Sequence, residues 1–212
     1  MGVAVKICGL NSPDAVRAAA AADFAGFIFY PPSPRYVEPR VAAELAAVLP
    51  KQVKRVAVFV DPDDAVLERT LAAFDADLIQ LHGRETPARV AAIKRRFGRP
   101  VMKAIAVSAS ADLKVASGYA DVADWLMFDA KPPKRKGALP GGNAASFDWR
   151  LLRGKSFARP WMLSGGLDAA NVARAVGIAG AAAVDVSSGV EDRPGRKNPF
   201  KIREFIKDSR CL

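Results

Sequence analysis

Two residues in the first apolar run, Val5-Lys6-Ile7-Cys8-Gly9, are the first that could do chemistry. Alternate residues of a strand share a face, so Lys6 and Cys8 point one way and Val5 and Ile7 the other. An ammonium beside a thiol favours the thiolate, lowering a pKa that is ordinarily about 8.5, and would make Cys8 a usable base. The competing reading is that Cys8 is a small buried hydrophobe, as most free cysteines are. Asp129 closes a later apolar run, Trp125 to Phe128, and is the natural acid to set against such a base. A carboxyl facing a thiolate across a sugar phosphate suits a proton shuffle in which one group protonates a ring oxygen and the other takes a proton from carbon. Burial at a barrel mouth lifts a carboxyl's pKa, which a proton-holding acid requires. On spacing alone, Asp129 could equally pair with Lys6 or cap a turn.

Two further stretches, Ser164-Gly165-Gly166 and Ser187-Ser188-Gly189, end apolar runs in small residues. Such ends leave backbone N–H groups free, and a short helix starting near Val190 would aim its positive end at an anion. Together they read as one phosphate cradle, with tight-turn glycines as the plain alternative. His82 is the only histidine, which removes schemes needing two histidines and zinc sites built mainly from histidine and cysteine. It reads as a rim or turn residue, without a catalytic role.

The elements that must position these groups follow a regular alternation. Ser12 and Pro13 open a helix to Ala22, with Ser12 as N-cap. Phe24 to Tyr30 is apolar on both faces, as a covered parallel strand is, and runs into Pro31-Pro32-Ser33-Pro34-Arg35. Helix and strand then recur: Glu38 to Leu49 and Arg55 to Val60, Asp64 to Phe74 and Leu78 to Leu81, Pro87 to Phe97 and Pro100 to Val107. Ala111 to Ser117 reads as a short helix before the strand ending on Asp129, and Lys131 to Ser146 as a long Pro/Gly-rich loop, of a length that is usually functional or mobile. A short helix over Phe147 to Leu152, strand Trp161 to Leu163, helix Asp168 to Val176, strand Ala182 to Val186 and helix Phe200 to Lys207 complete the chain. Eight strands at a spacing of roughly 25 residues predict a single-domain α/β chain, a closed (β/α)8 TIM barrel of the phosphate-binding type. No Gly-x-Gly-x-x-Gly follows an early strand, which argues against a dinucleotide fold. In such a barrel the strand ends carry the chemistry, namely Cys8, Arg35, Asp61, His82, Asp129 and the two glycine-serine stretches.

Composition narrows the class. Lys and Arg number 32 against 22 Asp and Glu in 212 residues, a formal charge of +10 that favours anionic partners. The basic residues are scattered apart from Lys134-Arg135-Lys136, and neither a reading helix nor aromatic stacking motifs accompany them, so nucleic acid is not the expected partner. No run of about 18 apolar residues and no hydrophobic leader appear, which predicts a soluble, cytoplasmic protein with no membrane contact. Two cysteines at opposite ends of the chain, Cys8 and Cys211, do not suggest a disulfide framework. A monomer and a homodimer are both compatible with the sequence.

Taken jointly, Lys6-Ile7-Cys8-Gly9, Ser33-Pro34-Arg35-Tyr36-Val37, Val58-Phe59-Val60-Asp61, Gln80-Leu81-His82-Gly83, Phe128-Asp129, Gly141-Gly142, Phe147-Asp148-Trp149, Ser164-Gly165-Gly166-Leu167 and Asp185 to Glu191 resemble the phosphoribosylanthranilate isomerases of tryptophan biosynthesis. The motifs run in family order over nearly the whole chain. The resemblance implies an Amadori rearrangement of a phosphosugar substrate, with neither metal nor organic cofactor. It implies Asp129 as general acid, Cys8 as general base and Arg35 as the ligand of the anthranilate carboxylate, a contact suited to a planar guanidinium. Asp185 resembles a substrate-positioning residue, or balances Lys6. Two positions depart from the family pattern. Asn143-Ala144 follows Gly141-Gly142 where Thr-Gly is frequent, and Asn198 follows Lys197 where Asp is usual, still a sound helix cap before Pro199. The histidine-pathway aminoaldose isomerases resemble this chemistry but use aspartates on strands one and five. Here strand one offers Cys8, and the strand through Lys103 and Ile105 offers no carboxylate. A pentose-phosphate epimerase would want several metal ligands, and a basic RNA-binding protein is the non-catalytic alternative.

Overall fold

The computed structural model describes residues 2–132 and 139–212, so the basic run Lys134-Arg135-Lys136 and part of the loop Lys131 to Ser146 lie outside the described residues. Eight parallel strands close into a barrel: β1 (Ala4–Cys8), β2 (Phe24–Ile28), β3 (Lys54–Phe59), β4 (Leu78–Leu81), β5 (Val101–Val107), β6 (Trp125–Ala130), β7 (Trp161–Leu163) and β8 (Ala183–Val186), with β8 pairing back onto β1. Helices α1 (Pro13–Ala18), α2 (Pro39–Ala46), α3 (Asp64–Ala73), α4 (Pro87–Phe97), α5 (Ser110–Leu113), α6 (Val172–Ala179) and α7 (Pro199–Arg210) join them on the outside. A single 3-10 turn, Trp149–Leu152, stands in for the helix between β6 and β7. None of the described helices is long and apolar enough to cross a membrane.

Strand alternation sorts the side chains into two cores. Val5, Ile7, Ala25, Phe27, Ile79, Leu81, Leu126 and Phe128 face outward into the layer under the helices. Cys8, Val56, Val58, Leu78, Met102, Met127 and Met162 fill the barrel interior. Lys6 is wholly buried in that interior. It fits because β2 carries Gly26 beside it, where a Cβ would stand 3.1 Å from Lys6 Nζ and 3.2 Å from Cys8 Sγ.

Local signals set most boundaries. Thr86 caps α4 by accepting from Arg89 N–H, Pro87 occupies its first turn, and Gly98 ends it in the left-handed conformation at φ 61°. Asn198 caps α7 by accepting from the N–H groups of Phe200 and Lys201. Ser12 occupies the cap position of α1 but makes no side-chain cap bond, and its helix tightens into a 3-10 turn at Ala19–Ala21.

Further expected helices differ. The helix expected over Asp168 to Val176 begins instead at Val172, because Asp168 and Asn171 hydrogen-bond each other's backbone N–H groups at 3.0 and 3.1 Å and hold a turn ahead of it. The helix expected from Val190 is a 3-10 turn over Ser188–Val190. A two-stranded ribbon follows, β9 (Glu191–Arg193) and β10 (Arg196–Lys197), reversed by Pro194-Gly195 with Gly195 at φ 81°.

Candidate active site

A cavity opens at the C-terminal ends of the strands. Its lining brings together Cys8, Arg35, His82, Asp129, Asp185, Gly165, Gly166, Ser187 and Ser188. Cys8 ends β1, and Asp129 lies one residue inside the end of β6, so the two stand on strands well separated around the barrel.

On the β1 side the charges are buried and paired. Lys6 Nζ donates to Asp185 Oδ1 at 2.7 Å, and Ser164 Oγ donates to Asp185 Oδ2 at 2.9 Å. Burial works against the Lys6 charge, but Asp185 and then Cys8 hold its pKa above the ordinary lysine value. Asp185 therefore balances Lys6, the second of its two expected roles, while still lining the cavity. The expectation that Lys6 would make Cys8 a thiolate is corrected. Burial of the sulfur pushes its pKa up and outweighs the pull of Lys6 and Lys197, and Asp185 adds to the rise. The resting residue is a thiol.

Arg35 is buried, 2% exposed, and its guanidinium is already engaged. Nε and Nη2 donate to Glu191 Oε1 and Oε2 at 2.7 and 2.9 Å, and Nη2 also donates to Gly142 O at 3.1 Å. The fork expected for a substrate carboxylate is thus occupied by Glu191, and Nη1 is the nitrogen left without an acceptor among the described residues. Glu191 also accepts from Lys197 Nζ at 2.9 Å, so one carboxylate lies between two cations. Burial opposes that charge, yet the Arg35 hydrogen bonds and Lys197 hold the Glu191 pKa below the usual carboxylate value. Burial draws Lys197 down to about 8 in spite of Glu191.

Lys197 ties this cluster to the glycine-serine rim, donating to Ser187 O at 2.8 Å and Ser187 Oγ at 3.2 Å. Gly165 and Gly166, at φ 92° and 65°, bring the β7 loop to the cavity in conformations that side chains rarely adopt. Gly189 does not line the cavity, contrary to its expected place in the cradle. A Cβ there would run into Leu167 O, so this glycine packs the β8 loop onto the β7 loop.

The β4–β6 side is built differently. Asp129 Oδ1 accepts from Ala130 N–H at 2.8 Å, and Oδ2 lies 3.0 Å from His82 Nε2, whose Nδ1 lies 2.8 Å from Gln80 Nε2. Ala106 of β5, in register with Asp129, presents only a methyl group, so His82 reaches across it. The turn that carries His82 is pinned from outside the barrel. Glu85 accepts from Gly83 N–H and Asp61 N–H, and Lys103 Nζ bonds Glu85 and Gly83 O, each at 2.8 Å.

His82, Glu191 and Lys197 carried no site role in the sequence. For His82 a signal was present: it continues the inward alternation of Leu78 and Gln80. Glu191 closes the Asp185-to-Glu191 stretch, but its partner Arg35 is 156 residues away.

Comparison with known proteins agrees with this geometry. The family model described as N-(5'phosphoribosyl)anthranilate (PRA) isomerase matches residues 5–208. The N-(5'-phosphoribosyl)anthranilate isomerase of Rhodospirillum centenum is 57% identical over 208 residues, covering 97% of each chain. Among solved structures, the phosphoribosyl anthranilate isomerase of Thermotoga maritima is 36% identical with a TM-score of 0.87, covering 99% of this chain and 100% of that one. Another, solved with reduced 1-(o-carboxyphenylamino)-1-deoxyribulose 5-phosphate, is 35% identical with a TM-score of 0.83 over the same shares. A closed eight-stranded barrel with this mouth and these likenesses leads to one conclusion: the chain belongs to the N-(5'-phosphoribosyl)anthranilate isomerase family, enzymes of tryptophan biosynthesis.

Proposed function

We propose that the isomerisation proceeds here as an Amadori rearrangement of N-(5-phosphoribosyl)anthranilate to 1-(2-carboxyphenylamino)-1-deoxyribulose 5-phosphate, with Asp129 as general acid and Cys8 as general base. Asp129 gives a proton to the furanose ring oxygen as the bond from C1′ to that oxygen breaks, and the anthranilate nitrogen supplies electrons to form the protonated Schiff base. Cys8, deprotonated, takes the proton from C2′, and those electrons neutralise the iminium to give an enolamine. Protonation at C1′ and loss of the C2′ hydroxyl proton then give the ketone, with no net change in protons.

The Schiff base is also what activates the thiol. Cys8 is a thiol at rest, and the positive charge developing beside C2′ favours both its thiolate and the carbon acid it deprotonates. Backbone N–H groups of Gly165, Gly166 and Ser188 cradle the phosphate, with Lys197 supplying positive potential behind Ser187. Arg35 meets the anthranilate carboxylate through Nη1 while Glu191 fixes its plane. Asp185 acts on the substrate indirectly, by holding Lys6 and Ser164. A cytoplasmic setting, where thiols stay reduced, suits Cys8.

The observation that carries this reading is the gathering of Cys8, Asp129, Arg35 and the glycine-serine rim around one cavity. The solved relative in complex with a reduced form of the product supports the choice of ligand. The test is consumption of phosphoribosylanthranilate followed by fluorescence with no metal added. Turnover is expected; absence of turnover with a folded, reduced enzyme would overturn the reading.

A further inference from the structure

The acid and base roles leave the chain's only histidine without a task, yet it sits directly behind the acid. An amide nitrogen only donates, so with Gln80 Nε2 at 2.8 Å the His82 Nδ1 must accept. The ring is then neutral and its Nε2–H donates to Asp129 Oδ2, while Ala130 N–H donates to Oδ1. Both oxygens of Asp129 are acceptors, an arrangement that satisfies an ionised carboxylate. A general acid has to be loaded with a proton before it can act.

Gln80 supplies the second observation. Its Oε1 is buried with no hydrogen-bond partner among the described residues, while its Nε2 has both His82 Nδ1 and Met127 Sδ, the latter at 3.5 Å. A buried acceptor left unpaired costs about 1–3 kcal/mol. The two ends of an amide are nearly the same shape, and a half-turn about its last bond exchanges them. With Oε1 toward the ring, Nδ1 must carry a proton. Nε2 then either accepts from a protonated Asp129 or carries a second proton against the carboxylate. In both forms the His82–Asp129 pair holds one proton more than in the first orientation.

We propose that Gln80 and His82 form a proton-loading relay behind Asp129, in which the direction of the Gln80 amide follows whether the pair is loaded or discharged. This rests on Asp129 being the acid. Loading takes one proton from water at the cavity mouth. Ring opening passes it to the sugar oxygen as the C1′–oxygen bond breaks, and the pair returns to its discharged form. His82 acts through Asp129 and is a positioning residue. Among the described residues the charged groups around it are Asp129 on β6, Asp61 after β3 and the Glu85–Lys103 pair behind the Gly83 turn. Gly141, in the loop after β6, lies against the pair: a Cβ there would stand 2.9 Å from both Asp129 Oδ2 and His82 Nε2.

A single histidine makes the test direct. The 15N shifts of its two ring nitrogens in uniformly labelled enzyme need no assignment, and they separate the Nε2–H tautomer, the Nδ1–H tautomer and the imidazolium. The free wild-type enzyme is expected in the Nε2–H form. Gln80→Met removes the amide, so the ring should populate the Nδ1–H form as well, with kcat down roughly tenfold and KM within about twofold. His82→Gln keeps a donor toward Asp129 but cannot carry the extra proton, and should lower kcat ~10–100-fold at similar KM. Wild-type turnover in His82→Gln, or a Gln80→Met ring with the wild-type tautomer, overturns the relay. Asp129→Asn run alongside keeps the two readings apart: if it turns over like the wild type, the acid assignment itself fails, whereas an inactive Asp129→Asn beside an unaffected His82→Gln removes the relay alone.

Discussion

On the β1–β8 wall of the cavity, fixed charges are buried in a mutually neutralising pair, Lys6 against Asp185 at 2.7 Å. On the β4–β6 wall a single carboxylate is held by neutral groups, the Ala130 N–H and the His82 ring. The first arrangement is rigid: Lys6 is committed to Asp185, and it moderates a thiol that burial has made reluctant to ionise. Among the described residues the second has no fixed cation, so no ion pair has to break when, in the proposed mechanism, Asp129 gains and gives up its proton. In the proposed mechanism, a base that is formed by its substrate and an acid that must reload each turnover call for these two environments.

The sharpest way to break the comparison is to disable each wall in turn. Asp129→Asn and Cys8→Ser should each lower kcat by ~10²–10⁴-fold, since each removes a proton-transfer partner. Thermal melting should stay near wild type for both. The double variant should be little worse than either single one, because residues acting as a unit are not additive. Wild-type turnover in either single variant would remove that wall from the chemistry.

Stability should then divide the walls. Lys6→Met leaves Asp185 buried without its cation and should cost about 3–5 kcal/mol, measured by denaturant unfolding. Adding Asp185→Asn in the same chain should recover part of that loss. If Lys6→Met is silent, the β1–β8 wall does not depend on its fixed charge and the contrast fails.

This division was only partly legible in the sequence. β4 and α4 fall at their expected bounds, and the ends of α4 carry local signals in Thr86, Pro87 and Gly98. α6 was expected four residues early, since the Asp168–Asn171 turn competes with the helix through side-chain bonds that periodicity does not register. Strand alternation placed Lys6 and Cys8 on one face, but the degree of burial that reverses the Cys8 shift depends on barrel closure. The His82–Asp129 contact spans 47 residues and skips over β5, so it exists only once β4, β5 and β6 lie side by side with Ala106 between. The Arg35–Glu191 fork likewise waits on the β9–β10 ribbon being brought beside the loop after β2.

Titration offers a smaller effect on the base wall. A thiol whose pKa is raised is protonated near neutrality, and only the thiolate can take the C2′ proton. kcat/KM should therefore climb as pH rises toward the Cys8 pKa, by up to about tenfold per pH unit well below it. The sign is the reverse of that expected from an acid that must hold its proton. Thiolate ultraviolet absorbance, followed in parallel and lost in Cys8→Ser, identifies the titrating group. A profile flat from neutral to mildly alkaline pH would mean that Cys8 is ionised at rest, and the two walls would no longer differ in this respect.

The least effect is expected where one segment touches both walls. The loop after β6 lays Gly141 over Asp129 and His82, and Gly142 over Arg35. Ala144, two residues on, sits at φ 55°, one of two non-glycine residues at positive φ among the described residues. An alanine there pays about 1–2 kcal/mol against its Cβ, partly offset by the freedom that a glycine would gain in the unfolded chain. Ala144→Gly should thus stabilise by roughly 1 kcal/mol or less, a rise of about 2–4 °C at most for a chain of this size. Neither wall is altered by that change, so kcat should stay within about twofold while any change falls on KM through a more relaxed cover. A selective loss of kcat would show instead that the strained backbone at Ala144 presses Gly141 onto the acid pair, making the loop part of the β4–β6 wall.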